Sequence, residues 1–258
     1  MAHVFAVVNQ KGGVGKTTTA VNIASYLAMS GAKTLLVDLD PQGNATSGFG
    51  IARAGLRASC YDVLIDSKPL IDAIVPTKVV GLSILPATMD LAGADIQLID
   101  RENREMALRT ALEPARAYFD YVLIDAPPSL GLLTLNALVA CDSILLPIQT
   151  EYYALEGISQ LLKTVDLVKK SLNPQLEIGL VVLTMYDNRV RLAQQVVAEV
   201  RKFFGARVAR AEIPRNVRLS EAPSHGVPIA LYDPRSRGAR AYQSVAMEVL
   251  QRGKTASR

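Results

Sequence analysis

Two lysines five residues apart bracket a run of glycines near the N-terminus, in VVNQKGGVGKTTTA (residues 7–20). A glycine-rich turn between a strand and a helix aims backbone N–H groups at one point, and the helix N-terminus adds partial positive charge there. Such a turn holds phosphate. Its cradle would be Gly12, Gly13, Val14, Gly15, Lys16, Thr17 and Thr18. Lys16 would reach the β- and γ-phosphates of a nucleoside triphosphate, and the Thr17 hydroxyl would coordinate Mg²⁺. The strict spacing GxxxxGK[ST] is not met, because its first glycine falls at Gln10. The ordinary loop also leaves Lys11 without a task.

Three carboxylates have spacings that suit the same chemistry. Mg²⁺ on a triphosphate keeps several waters and a carboxylate at the end of a nearby strand. YVLID places Asp125 in that position, a weak signal alone and a specific one beside a phosphate loop. Asp38 and Asp40 follow another apolar run, TLLVDL, and alternation puts both on one side if the strand continues that far.

These residues need a scaffold, and the apolar pattern supplies one. Near-continuous apolar runs at 3–9, 34–39, 82–87, 121–126, 143–149 and 177–185 read as strands covered on both faces. Helical patterns lie between them at about 17–30, 90–116, 130–140, 154–171 and 190–204. Gly31 closes the first helix. Strand and helix in alternation predict right-handed βαβ units and a doubly wound, mostly parallel α/β sheet with helices on both faces. Residues 50–80, broken by Pro69 and Pro76, predict short helices and loops. A single domain over residues 1–258 is expected from the length, with the C-terminal region 187–258 as part of it.

Composition bounds the rest. Half the residues are hydrophobic and mean hydropathy is +0.21, yet no apolar run approaches the ~18 residues of a spanning helix. The start MAHVFAVV lacks the basic region of a signal peptide, so a cytoplasmic protein is expected. Cys60 and Cys141 are far apart and the only histidines are His3 and His225, which argues against zinc and disulfides. Charge is uneven. Residues 1–186 carry 14 Lys+Arg against 18 Asp+Glu, and residues 187–258 carry 14 against 6. The basic part holds few aromatics and no recognition-helix pattern, so it suits phosphate contact on duplex DNA better than base reading.

KGGVGKTT resembles the deviant Walker A motif of the ParA/MinD group of ATPases. VDLDPQGNATSGFG (37–50), YVLIDAPPSLGLLTLNAL (121–138) and AEIPRNVRLSEAPSHGVPI (211–229) extend the likeness to chromosomal, Soj-type ParA proteins over nearly the whole chain. The resemblance implies an ATP- and Mg²⁺-dependent homodimer in which Lys11 reaches the nucleotide of the other subunit. It implies that Asp40 positions the attacking water while Asp38 supports the metal or loop, and that Pro127, Pro128 and Gly131 shape a γ-phosphate sensor. Met185, Pro214 and Asn216 would approach the adenine, and Arg189 would contact DNA. Arg218 and Arg240 join it from the basic region. The implied biology is slow hydrolysis, non-specific DNA binding on the nucleoid in the ATP state, and release stimulated by a ParB-like centromere-binding partner.

Rival readings share part of this pattern. A MinD-like membrane-associated positioning ATPase would end in a basic amphipathic helix with bulky apolar residues, whereas here the apolar pattern stops at Leu250. A relative of the nitrogenase iron protein would need cluster-holding cysteines just after Asp125, and neither cysteine is there. A larger plasmid-type ATPase would carry a helix-turn-helix extension before residue 3. Metabolic kinases with phosphate loops would not account for Lys11.

Overall fold

The computed structural model describes residues 1–151 and 154–256. Seven strands form one sheet: β1 (His3–Val7), β2 (Thr34–Asp38), β3 (Val75–Pro76), β4 (Leu82–Leu85), β5 (Tyr121–Asp125), β6 (Ser143–Gln149) and β7 (Glu177–Thr184). Their order is β3-β4-β2-β5-β1-β6-β7, parallel throughout except for the short antiparallel β3–β4 pair. The expected doubly wound α/β sheet is present, with six strands where the apolar runs placed them. The β3 edge was not foreseen, since two residues carry no period.

Alternation explains why the strands read as continuous apolar runs. In β1, Val4 and Ala6 face one core, and Phe5 and Val7 face the other. In β5, Val122 and Ile124 oppose Tyr121 and Leu123 in the same way. Each large side chain so buried contributes roughly 1.5–3 kcal/mol.

Helices cover both faces. They are α1 (Lys16–Met29), α2 (Asn44–Gly48), α3 (Cys60–Ile65), α4 (Leu70–Ala73), α5 (Ala94–Gln97), α6 (Ala107–Leu112), α7 (Leu132–Ala140), α8 (Ala154–Ser171), α9 (Arg191–Phe204), α10 (Val217–Glu221), α11 (Ile229–Tyr232) and α12 (Arg237–Ala256). Buried residues of α1, α2, α11 and α12 join the core that contains Phe5 and Val7, and those of α3, α5, α6, α7, α8 and α9 join the other.

Two expectations need correction. The helix expected over about 90–116 is a series of short pieces: 3-10 turns at Met89–Gly93, Arg104–Met106 and Pro114–Ala117 alternate with α5 and α6. Asn103, at φ 54° in the left-handed region, interrupts the path, and Pro114 cannot donate within a continuing helix. The 20-residue helix α12 was not among the helical patterns read from the sequence. Its buried Ala239, Tyr242, Val245, Ala246 and Val249 recur at helical spacing, but the surrounding arginines and polar residues dilute the stripe.

Candidate functional site

The site is built at the C-terminal ends of β1, β5 and β2, which lie side by side. Chain order reverses direction around β1, the place where open α/β sheets leave a crevice for ligands. The glycine loop leaves β1 and enters α1. Gly13 and Gly15 have φ of 75° and 86°, a region that an L side chain occupies only with strain. A Cβ on Gly12 would meet nothing within 4 Å, so the protein itself leaves that space open.

Contacts from the neighbouring strands hold the loop. Asn9 Nδ2 donates to Pro147 O at 2.7 Å, and its Oδ1 accepts from Lys11 N at 2.9 Å. Thr184 Oγ1, at the end of β7, donates to Val14 O at 2.9 Å. Lys16 Nζ donates to Lys11 O at 3.1 Å, closing the loop across its mouth. Asn9 and Thr184 were missed in the sequence because single polar residues at strand ends carry no pattern.

Lys16 is buried at 7% exposure, and burial lowers its pKa against the opposing pull of Asp125 and Asp40. A cation placed there has lost much of its water and favours an anion in the crevice. Lys11 differs. It is exposed, with Nζ 3.2 Å from Glu151 Oε2.

Asp38 and Asp125 are register partners on β2 and β5. Leu36 and Leu123, two residues before them, belong to the core on the α1 side, so alternation turns both carboxylates toward the phosphate loop. Asp125 is fully buried, and neither of its oxygens has a hydrogen-bond partner among the described residues, although the Thr17 hydroxyl is near enough to favour its charged form. Burial first, and the neighbouring Asp38 second, hold its pKa well above the usual carboxylate range. An orphaned buried carboxylate beside a threonine hydroxyl fits a hydrated divalent cation. Among the described residues no group of three or more His, Cys, Asp or Glu is placed to hold a metal ion.

Asp38 is satisfied by the protein. Its Oδ2 accepts from Thr46 N (2.8 Å) and Thr46 Oγ1 (2.7 Å), and its Oδ1 from Asp40 N (3.3 Å). Burial nevertheless pushes its pKa up to about 6. Asp38 therefore pins the loop after β2 to α2. Asp40 is also buried, at 7% exposure, and its Oδ1 accepts from Gln42 N at 2.9 Å.

The residues expected near adenine come together. Met185, Pro214 and Asn216 line one cavity of about 410 Å³ with Gly15, Thr18 and Tyr242, a volume suited to a base. Met185 sits at φ 53°, and Asn216 Oδ1 caps α10 by accepting from Arg218 N at 2.9 Å. A second cavity, of about 400 Å³, lies among α3, α4 and residues 101–115 and holds none of the expected site residues, so size alone does not choose between them.

The expected DNA-contacting arginines lie on the surface. Arg189, 85% exposed, pairs with Asp187 at 2.7 Å. Arg218 pairs with Glu221 at 2.8 Å and with Asp233 at 3.6 Å. Arg240 is exposed on the first turns of α12 and has no ion pair among the described residues. Arg258 lies outside the described residues.

Comparison with known proteins agrees with this geometry. A family model described as an AAA domain matches residues 2–178. The sporulation initiation inhibitor protein Soj of Bacillus subtilis (strain 168) is 56% identical over 253 residues, covering 98% of this chain and 100% of that protein. The chromosome partitioning protein ParA of Myxococcus xanthus (strain DK1622) is 52% identical over 252 residues, 98% of this chain and 89% of that protein. Among solved structures, cobyrinic acid a,c-diamide synthase from Mycobacterium smegmatis with bound ADP and magnesium is 38% identical with a TM-score of 0.87, covering 99% of this chain and 97% of that one. The Pyrococcus furiosus cell division ATPase MinD is 26% identical with a TM-score of 0.80, covering 97% of this chain and 98% of that one. With a phosphate loop bracketed by two lysines and likeness of this degree along nearly its full length, the chain belongs to the Soj/ParA family of chromosome-partitioning ATPases.

Proposed function

We propose that this protein is a single-domain, ATP-dependent dimerising ATPase that binds duplex DNA without sequence preference in its ATP state and drives chromosome partitioning. The observation that carries this is the pairing of a buried Lys16 inside the loop with an exposed Lys11 outside it. Lys16 neutralises phosphate from within its own protomer. Lys11 is exposed and held only by a half-exposed pair with Glu151, and a cation supplied by a second protomer stabilises the charge that builds on a transferring phosphoryl group. Dimerisation and hydrolysis thereby become one event.

The remaining roles complete the proposal. Backbone N–H groups of residues 12–18 hold the phosphates, Met185, Pro214 and Asn216 hold the base, and Asp40 orients the attacking water. Thr17 directly, and Asp125 through water, would hold Mg²⁺, which when bound neutralises charge on the β- and γ-phosphates. Turnover is slow and raised by a ParB-like partner. On the DNA side, Arg189 and Arg218 exchange their carboxylate partners for phosphates, and Arg240 adds a third contact. Affinity rises steeply with the number of phosphates met, and a dimer doubles that number. ATP binding thus favours the nucleoid, and hydrolysis releases the protein from it. Support for the partitioning role comes from the Myxococcus xanthus relative, whose name states it. No helix of the described residues is long and apolar enough to cross a membrane.

Random-sequence duplex binding with ATP, with ADP and without nucleotide, at two salt concentrations and beside anionic liposomes, tests the proposal. Salt-sensitive DNA binding with ATP alone is expected. Lys16→Ala is expected to abolish it, and Asp40→Ala to trap an ATP- and DNA-bound dimer. Liposome binding with no DNA binding in any nucleotide state would overturn the proposal, and an Asp40→Ala protein that stays monomeric with ATP would remove Asp40 from its role.

A further inference from the structure

Lys11 has a partner within its own protomer. Its Nζ lies 3.2 Å from Glu151 Oε2, and Glu151 Oε1 lies 3.8 Å from Arg215 Nη2. Gln149 Nε2 also donates to Glu151 Oε1. Glu151 therefore stands just past the end of β6 between two cations of different origin. One comes from the phosphate loop, and the other lines the base-side cavity. This carboxylate straps the two sides of the nucleotide cleft together.

We infer that Glu151 is a positioning residue for Lys11, holding its ammonium group back in the free protomer so that only a triphosphate presented by a second protomer draws it across. The inference rests on the reading of Lys11 as acting in trans. A carboxylate and a phosphate compete for one ammonium, and Lys11 cannot meet both when they lie in different subunits. Assembly must break the Lys11–Glu151 pair in each protomer. A more highly charged anion wins this exchange and a less charged one does not, so the strap sharpens discrimination between triphosphate and diphosphate. Arg215 remains to neutralise the vacated carboxylate, which limits the cost of release.

The pair is half exposed, at 42% and 47%, so its opposition is modest. Exposed pairs of this kind shift an equilibrium by about two- to five-fold. Two pairs break per dimer, so their removal is expected to raise the dimerisation constant by about 4- to 25-fold.

Sedimentation velocity over a protein concentration series, with Mg²⁺ and the non-hydrolysable analogue AMPPNP or with ADP, measures that constant. Glu151→Gln is expected to dimerise at lower concentration than the unmodified protein with AMPPNP and to show more dimer with ADP. Glu177→Gln makes the same charge change at the opposite end of the sheet and is expected to change nothing. Lys11→Ala is expected to fail to dimerise, and Lys11→Ala with Glu151→Gln to match Lys11→Ala, because the carboxylate acts through that lysine. Unchanged or weaker dimerisation of Glu151→Gln, with Lys11→Ala still failing, overturns the strap and leaves the trans-acting lysine standing. Full dimerisation of Lys11→Ala overturns the trans-acting lysine itself, and the strap with it.

Discussion

Thr46 shows how much a site can depend on a residue that offers no chemical signature. Its Oγ1 donates to Asp38 Oδ2 at 2.7 Å and accepts from Ala87 N at 3.0 Å, all in buried surroundings. Thr46→Val keeps the shape and removes both bonds. It is expected to cost about 1–3 kcal/mol in urea denaturation without nucleotide, since a buried carboxylate loses a donor and a buried N–H loses its acceptor. The cost should depend on pH. Burial raises the Asp38 pKa to about 6, so between about 4 and 6 the folded protein binds more protons than the unfolded chain and stability falls as pH rises. Losing a donor to the charged form raises that pKa further and extends the fall to higher pH. The destabilisation should therefore be larger at pH 8 than at pH 5, and the opposite order would show that the hydroxyl does not support the carboxylate. Asp38 was legible as an acid at a strand end. Its partner was not, because a threonine eight residues away becomes a neighbour only after the chain has turned back through α2.

At the scale of elements, the cavity proposed to hold the base is framed by the docking of α12 against α10. Gly238 makes that approach possible: a Cβ there would lie 2.8 Å from Leu219 Cγ and 3.2 Å from Asn216 Nδ2. Both neighbours line the cavity that also contains Tyr242. Tyr242 in turn pairs with Thr19 on α1 at 3.1 Å, linking the C-terminal helix to the phosphate-loop helix. Gly238→Val is expected to push α10 away from α12, weaken binding of a fluorescent adenine nucleotide by about tenfold, and lower stability by about 1–3 kcal/mol through overpacking. Unchanged nucleotide affinity alongside lower stability would show that the cavity does not hold the base. This framing was hidden in the sequence, where Gly238 sits in RSRGARAY with no turn or loop pattern around it. Its meaning comes from a helix 20 residues upstream.

The two cores on either side of the sheet make the molecule cohere, and the cysteines report on one of them. Cys60 on α3 and Cys141 after α7 both belong to the core that contains Val4 and Ala6. Burial pushes both thiols far up from their ordinary range, with Asp38 adding to the shift at Cys60 and Asp142 at Cys141. A thiol reagent at pH 8 is therefore expected to modify both only as fast as the molecule unfolds, because the thiolate is the reactive form. A fast phase from either cysteine would reveal local opening of that face. The same whole-molecule view bears on the basic C-terminal quarter. Its excess charge was plain in the sequence, yet the fold commits part of it internally: Arg201 pairs with Glu212 at 2.6 Å, and Arg252 donates to Gly179 O and Ala206 O.

Sequence alone determined what depends on neighbours along the chain. The alternating parallel sheet follows from apolar runs of strand length separated by helical patterns, and the phosphate loop follows from glycines and lysines within one turn. Asp125, Asp38 and Asp40 were readable for the same reason, each ending an apolar run. Tertiary structure decided what depends on residues brought together from afar. It showed that Asp38 is already satisfied by Thr46 while Asp125 has no hydrogen-bond partner among the described residues, that residues 90–116 break at Asn103 and Pro114, and that α12 helps line the cavity around Met185 and Asn216. It also set Glu151, 140 positions from Lys11, against that lysine's ammonium group. Local spacing fixes which groups can do chemistry, whereas their charge state and freedom depend on burial and on partners that only the folded chain supplies.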